Sequence, residues 1–401
     1  MSDAPRLPTW APEPDRAPGP FSDAELARRH AAVLDAAQAA GCDRIVAYGA
    51  NRNGSAIPWL TRWPVTREAV ALIGPDHPDV LVVQFHNHTP LAAELARDAQ
   101  VVWGGTSTID TVVEQLRQLG GDRQTLGLIG DVPYQVRDAL AAAFGPPVDL
   151  GPAYTRLRTI KSDEEIEHLR HGARLSDRAL AGLVAGLQPG ANDRELIDAM
   201  ERAYVPHGGT THIHYLSVTD MADPDRCVPA QQPVGATVAR GSVAVTEISA
   251  AFRGYAGQVL RTLTVGEPPN ARYAELHDAA QAAFDAVLDV LRDGTTPAEV
   301  VAAARSIEDA GFELCDDLLH GFGGGYLPPV IGRFGEPVPD LPLRTGMTVV
   351  VQPNVVTPDR RAGVQTGELV VITDDGAVSL HTAPRGVIEV ALPTTSGGAP
   401  R

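Results

Sequence analysis

Apolar and polar positions change their spacing along the chain, and each change marks an element. Over residues 22–40 a Ser-Asp-Ala-Glu opening leads into apolar positions at helical spacing, the pattern of a capped amphipathic helix. Residues 44–48, 69–73 and 80–84 are short apolar runs that read as strands, and residues 90–98 read as a helix with Thr89 as its N-cap. Such alternation, continuing to about residue 150, predicts a small α/β domain. A second pattern opens at Ser162 with a long helix to about Leu187, closed by Pro189-Gly190, and a shorter helix over 192–204. Strands follow at 212–219, 242–251 and 257–265, then helices over 270–291 and after Thr296, then a strand-rich remainder. Periodicity alone therefore gives an α+β chain. The proline-rich residues 1–20 read as an extended arm able to contact a partner subunit, and 393–401 as a flexible tail. The expected domains are 21–155 and 156–392.

Composition narrows the function classes. With 401 residues the chain is long enough for two cores. Its 33 basic and 50 acidic residues give a net charge of −17, with no basic run to offset it, so nucleic acid is not an expected partner. Cys42, Cys227 and Cys315 lie far apart, show no metal-ligand spacing and, being odd in number, make no disulfide framework. No export signal or long apolar run is present, so the expectation is a cytoplasmic protein without membrane contact, in which the Asn53-Gly54-Ser55 sequon is only a turn.

Spaced motifs add a resemblance. Glu247 and Gln258 flank Gly254 and Tyr255 and are followed by Arg261-Thr262; His320-Gly321-Phe322-Gly323, Gly346-Met347 running to Gln352-Pro353, and Gly363-Val364-Gln365 running to Gly367-Glu368 come after them, with Ile160-Lys161-Ser162 upstream. In order and spacing, over about residues 156–390, these segments resemble the creatinase/aminopeptidase P family of Xaa-Pro peptidases. The resemblance implies a carboxyl-terminal pita-bread domain behind a smaller α/β creatinase-type domain, and a homodimer. It also implies two divalent cations held by carboxylates and one histidine. The matching positions here are Glu247, Gln258, His320, Gln352 and Gly367, which carry a single formal negative charge. Uncompensated buried cations cost several kcal/mol or more. The expectation is therefore no cofactor and no metal ligands, with creatinase as the metal-free precedent; the alternative is one divalent ion. Glu247 and Gln258, each one methylene longer than Asp, have the reach to hydrogen-bond one another. Ala230 and Leu327 stand where the family has a substrate-facing and a proton-shuttling histidine, which removes support for creatinase and peptidase chemistry alike.

The catalytic candidates are Glu247 and His320, a carboxylate and an imidazole that the fold would bring together as an acid/base pair; the plainer reading is a structural ion pair. Gln258, Gln352, Gln365 and Glu368 are candidates for substrate binding, the glutamines by donating amide hydrogens, against mutual bonding that plugs the pocket. His212 and His214 alternate on a strand, which would put both imidazoles on one face as substrate or metal ligands. Arg226 is a candidate clamp for a substrate carboxylate. Cys227 has no identified base, His86 and His88 mark a strand end, and the 321–325 glycines lack a phosphate-loop lysine. The expected function is a metal-independent enzyme cleaving a C–N bond of a small polar molecule. Its rivals are an Xaa-Pro peptidase with a rearranged ligand set and an inactive binding or scaffold homologue.

Overall fold

The computed structural model describes residues 7–13, 16–51, 53–76 and 78–392; the expected tail at 393–401 and part of the expected arm lie outside them. The chain divides into two compact units, Gly19–Arg158 and a second that joins Met1–Pro18 to Thr159–Arg401.

In the smaller unit the sheet order is β4-β3-β2-β1-β5-β6, from β1 Arg44–Ala50, β2 Glu68–Ile73, β3 Asp79–Val83, β4 Ala99–Trp103, β5 Leu126–Ile129 and β6 Val148–Asp149. The β1–β2 and β2–β3 pairs are antiparallel and the others parallel. Ile45, Ala47, Ala71 and Leu81 pack into one core, and Val46, Tyr48, Val70 and Leu72 into another. A sheet buried on both faces explains why its central strands read as continuous apolar runs without alternation. The first helix, Asp23–Ala39, is capped by Ser22, whose Oγ accepts from the Glu25 amide at 3.0 Å. Thr89 is not a cap: residues His86–His88 form a 3₁₀ turn, the helix begins at Thr89, and its hydroxyl donates back to the His86 carbonyl at 2.7 Å.

The larger unit is built on a mainly antiparallel sheet, ordered β12-β11-β13-β15-β9-β8-β7. Its strands are β7 Thr210–Asp220, β8 Ser242–Phe252, β9 Tyr255–Val265, β11 Leu319–Phe322, β12 Tyr326–Ile331, β13 Thr348–Val351 and β15 Gly367–Thr373. β16 Gly376–Ser379 pairs with β15, β17 Ile388–Val390 with β9, and β10 Glu313–Leu314 with β14 Val355–Val356. The long helix Asp163–Gly186 starts where the sequence predicts and opens with a capping box formed by Ser162 and Glu165. This helix lies against β8 and β9 with almost no side chain between. A methyl added at Gly172 would strike the Tyr255 carbonyl and meet the Gly257 nitrogen at 3.1 Å, and one added at Gly257 would press on Ala173. Ser176 completes the seam, its Oγ bonding the Gly257 carbonyl at 2.6 Å and the Ala250 amide at 2.8 Å. A mid-helix glycine costs about 1 kcal/mol relative to alanine, so the close approach is the reason for Gly172. It sets the position of β9 immediately before Gln258.

The described part of the amino-terminal arm is packed, contrary to expectation. Trp10 lies against the core formed by the long helix and β7–β9, and Arg178 donates to the Pro12 carbonyl at 2.7 Å. One half-buried indole is enough to fasten a segment whose prolines already limit its freedom.

Because the seam between helix and sheet has no spare volume, Gly257→Ala is expected to destabilise the protein by about 1–3 kcal/mol through overpacking. Urea unfolding monitored by circular dichroism reads this directly, and a midpoint equal to that of the parent would contradict the account.

Candidate active site

Antiparallel pairing of β8 with β9 sets Ser249 opposite Gln258 and Glu247 opposite Leu260, so Glu247 and Gln258 share a face of the sheet. Gln258 Nε2 donates to Glu247 Oε1 at 2.7 Å and, more loosely, to Gln352 Oε1 at 3.3 Å. Gln352 follows β13, which pairs with β11, the strand that carries His320. His320 is fully buried, and its Nδ1 lies 3.1 Å from the Gly321 carbonyl. A carbonyl only accepts, so Nδ1 bears the proton and Nε2 is left as a buried acceptor without a hydrogen bond. Tyr326 stacks on the ring at 3.8 Å between centroids, and Phe322 meets it edge-on at 5.6 Å.

Burial pushes His320 down to about 4, an effect that the bond to Gly321, the nearby Asp317 and the adjacent Gln352 side chain only partly offset. Burial raises Glu247 to about 7, with the charge of Asp316 adding to it. The two catalytic candidates are therefore not a directly bonded pair: two glutamines stand between them, and near neutral pH the imidazole is neutral while the carboxyl titrates. Asp316 was not a candidate from sequence. Asn354 Nδ2 donates to its two oxygens at 3.0 and 3.2 Å, and burial lifts it to about 6. Its neighbour Asp317 accepts from the Tyr326 hydroxyl at 2.6 Å. The one signal available was an acidic pair just ahead of the motif histidine, which looks like any solvated turn.

Other candidates are separated by the fold. A register shift between Thr211 and Ile213 makes His212 a bulge, and this breaks the expected alternation. His212 sits edge-on to Phe322 at 5.9 Å, next to the site. His214 pairs opposite Ile248 on the other face, where its Nε2 bonds Tyr204 Oη at 2.9 Å and burial lowers it to about 4. The two imidazoles do not converge, so they are neither a shared metal pair nor a joint substrate clamp. Arg226 lines a different cavity, of about 550 Å³, with Asp220, Asp223, Asp225 and Arg361. Gln365 is buried with both ends of its amide lacking hydrogen bonds among the described residues.

Glu368 is not available to a substrate either. Arg261 Nη2 reaches it at 2.6 Å and Arg385 Nη2 at 2.8 Å, with the Arg261 and Glu368 side chains almost wholly buried. Burial by itself would raise the carboxyl, but Arg261 foremost, with His381 and Arg385, outweighs this and holds it at about 2.

The description of metallopeptidase family M24 matches residues 167–374. The chain belongs to that family. It is 30% identical over 286 residues to a probable dipeptidase PepE from Mycobacterium tuberculosis, covering 68% of this chain and 72% of the relative. To an Xaa-Pro dipeptidase from Pyrococcus furiosus it is 26% identical over 284 residues, covering 69% and 78%. The crystal structure of dipeptidase PepE from Mycobacterium ulcerans superposes with a TM-score of 0.77 at 25% identity, over 93% of this chain and 100% of that one. An Xaa-Pro dipeptidase structure from Bacillus anthracis matches in fold, with a TM-score of 0.76 at 21% identity over 91% and 99%. The larger unit therefore has the pita-bread fold, and the protein is a hydrolase-family member.

Membership in family M24 corrects the expectation of a protein without cofactor, because its members are metal-dependent peptidases. The family's two-ion ligand set is nevertheless not reproduced in this chain. At Gly367 an added Cβ would strike the Val351 carbonyl and meet Gln352 Cα at 2.9 Å, leaving no room for a carboxylate side chain. Glu368 beside it is committed to arginines, and the Gln258 amide is spent on Glu247 and Gln352. Among the described residues no three His, Cys, Asp or Glu side chains are grouped to hold an ion.

The depressed Glu368 carboxyl makes a signed prediction. Its stabilising effect is complete above the unfolded value of about 4.3 and is lost as pH falls toward the folded value of about 2. Glu368→Gln is expected to cost about 3–5 kcal/mol at neutral pH by leaving Arg261 buried and unpaired. Denaturant unfolding of both proteins from neutral pH downward should show that gap narrowing only below about pH 4.3; a gap that stays constant into acid would refute the pairing.

Proposed function

We propose that this protein is a hydrolase of small peptides, acting on dipeptide-sized substrates that include Xaa-Pro sequences, with the pocket at Glu247, Gln258, Gln352 and His320. The observation that carries the reading is the hydrogen-bonded chain from Glu247 through Gln258 to Gln352 beside His320, standing at the family's active-site positions in a chain related to dipeptidases. A peptide bond is a C–N bond, so this reading replaces the unspecified small polar molecule with a chemical class.

Within it, Glu247 takes and returns a proton. Its carboxyl, raised to about 7, is divided between acid and base forms near neutrality, as taking a proton from the attacking water and giving it to the leaving amine requires. Gln258 orients that carboxyl by its 2.7 Å bond. His320, neutral and with Nε2 open, supplies an acceptor rather than a charge. No step is assigned to a metal ion, because the donor set described above does not fit the family's two-ion site. A homodimer and a cytoplasmic location belong to the same proposal; the family resemblance supports the first, and three free cysteines support the second.

The replaced ligand positions favour one second reading, a homologue that binds peptides without cleaving them. Hydrolysis of a dipeptide panel that includes Ala-Pro, followed by amine release with and without added Mn or Co, separates the two. The expected outcome is measurable turnover, with kcat/KM in Glu247→Gln reduced about 100-fold or more. Binding without turnover under every metal condition would select the second reading. Turnover that survives Glu247→Gln would remove Glu247 from its role.

A further inference from the structure

The site holds acceptors that meet no cation among the described residues. Glu247 accepts a single hydrogen bond among the described residues, from the neutral amide of Gln258. Asp316 accepts from the neutral amide of Asn354 and from its own backbone amide, and from no cation among the described residues. Arg261 and Arg385 are both turned to Glu368. The backbone ties Asp316 to the same wall: the Cys315 amide donates to the Asn354 carbonyl at 2.9 Å, and the Gln352 amide to the Leu318 carbonyl at 2.9 Å. An independent observation points the same way. Asn354 is fully buried, and its Oδ1, in the amide whose Nδ2 is spent on Asp316, has no hydrogen-bond partner. A buried acceptor left open costs free energy that a donor would recover.

Two carboxyl groups and an orphaned amide oxygen, without a resident cation, suit a group with three N–H donors and a positive charge. We propose that Asp316, held by Asn354 beside the catalytic Glu247, is the receptor for the free ammonium group of the substrate, which makes Asp316 a specificity-determining residue. The inference rests on the small-peptide reading, since a dipeptide is the ligand that brings an ammonium next to a scissile C–N bond. The raised pKa of Asp316 supports it, because a carboxyl raised by burial and by the neighbouring Asp317 gains from a bound cation.

The test compares Ala-Pro with N-acetyl-Ala-Pro, which keeps the dipeptide but adds an acetyl group and removes the charge and two donors. Affinity is read by calorimetry, or as KM where hydrolysis occurs, in the full-length parent and in Asp316→Asn. This isosteric change keeps an acceptor for Asn354, and circular dichroism checks the fold. The expected result is that the parent prefers Ala-Pro about tenfold or more, and that Asp316→Asn weakens Ala-Pro about tenfold while leaving the acetylated peptide unchanged. Equal affinity for the two peptides, equal loss of both in the variant, or no binding of either overturns the inference. Hydrolysis without an amine preference would sink only this inference, whereas amine-selective binding without hydrolysis would sink only the hydrolase reading.

Discussion

A buried carboxylate must be neutralised where it stands, and the site depends on how this is done at Glu368. Arg261 spends every arm of its guanidinium: Nη2 on Glu368 at 2.6 Å, Nη1 on the Gly367 and Leu260 carbonyls at 2.8 and 2.9 Å, and Nε on the Pro384 carbonyl at 2.8 Å. One planar cation thereby joins β9, β15 and the segment at residue 384. β9 carries Gln258 and β15 begins at Gly367, so the spacing of the pocket wall follows from this contact. The pair need not add net stability compared with an apolar packing, but once buried neither partner can be removed cheaply.

Commitment of the arginines leaves the rest of the site with acids and neutral amides. Where the family resemblance implies carboxylates, Gln258 and Gln352 each present both a donor and an acceptor, and they link into a chain that ends on Glu247. A wall of carboxylates repels itself until cations arrive; a wall with amides in it satisfies itself. The acids that remain, Glu247 and Asp316, are both raised by burial, and Asp316 also raises Glu247. The pinched backbone at Gly367 belongs to the same rearrangement, since space that would hold a side chain is filled by the Val351 and Gln352 backbone.

Much of the frame was legible. The helix starts at Ser162, at Asn192 and after Thr296 were read from the chain and each carries a capping box, and the apolar runs located β7, β8 and β9. The site was legible in part. Glu247 and Gln258 bond as their lengths allow, and His320 lies beside Gln352, but Asp316, Asn354 and Tyr326 carried no signal above that of an ordinary turn. Three residues were placed wrongly. His214 faces away because a bulge at His212 shifts the pleat by one residue, Arg226 lines another cavity, and Glu368 is an ion-pair partner. The absence of a cofactor was also misjudged, because the altered residues concern this chain while metal dependence is a property of the family.

The sequence by itself determined the helices, most strands, the two-part organisation into α/β and pita-bread folds, and the family. Caps, periodicities and spaced motifs are local or ordered along the chain, so they survive without knowledge of contacts. Only the tertiary structure decided which face His214 takes, that Arg261 and Arg385 neutralise Glu368, that backbone fills the space beside Gly367, and that the charge of Asp316 is felt at Glu247. Each of these depends on which groups meet across strands far apart in sequence and on how a buried charge is compensated. Spacing along one chain does not encode either.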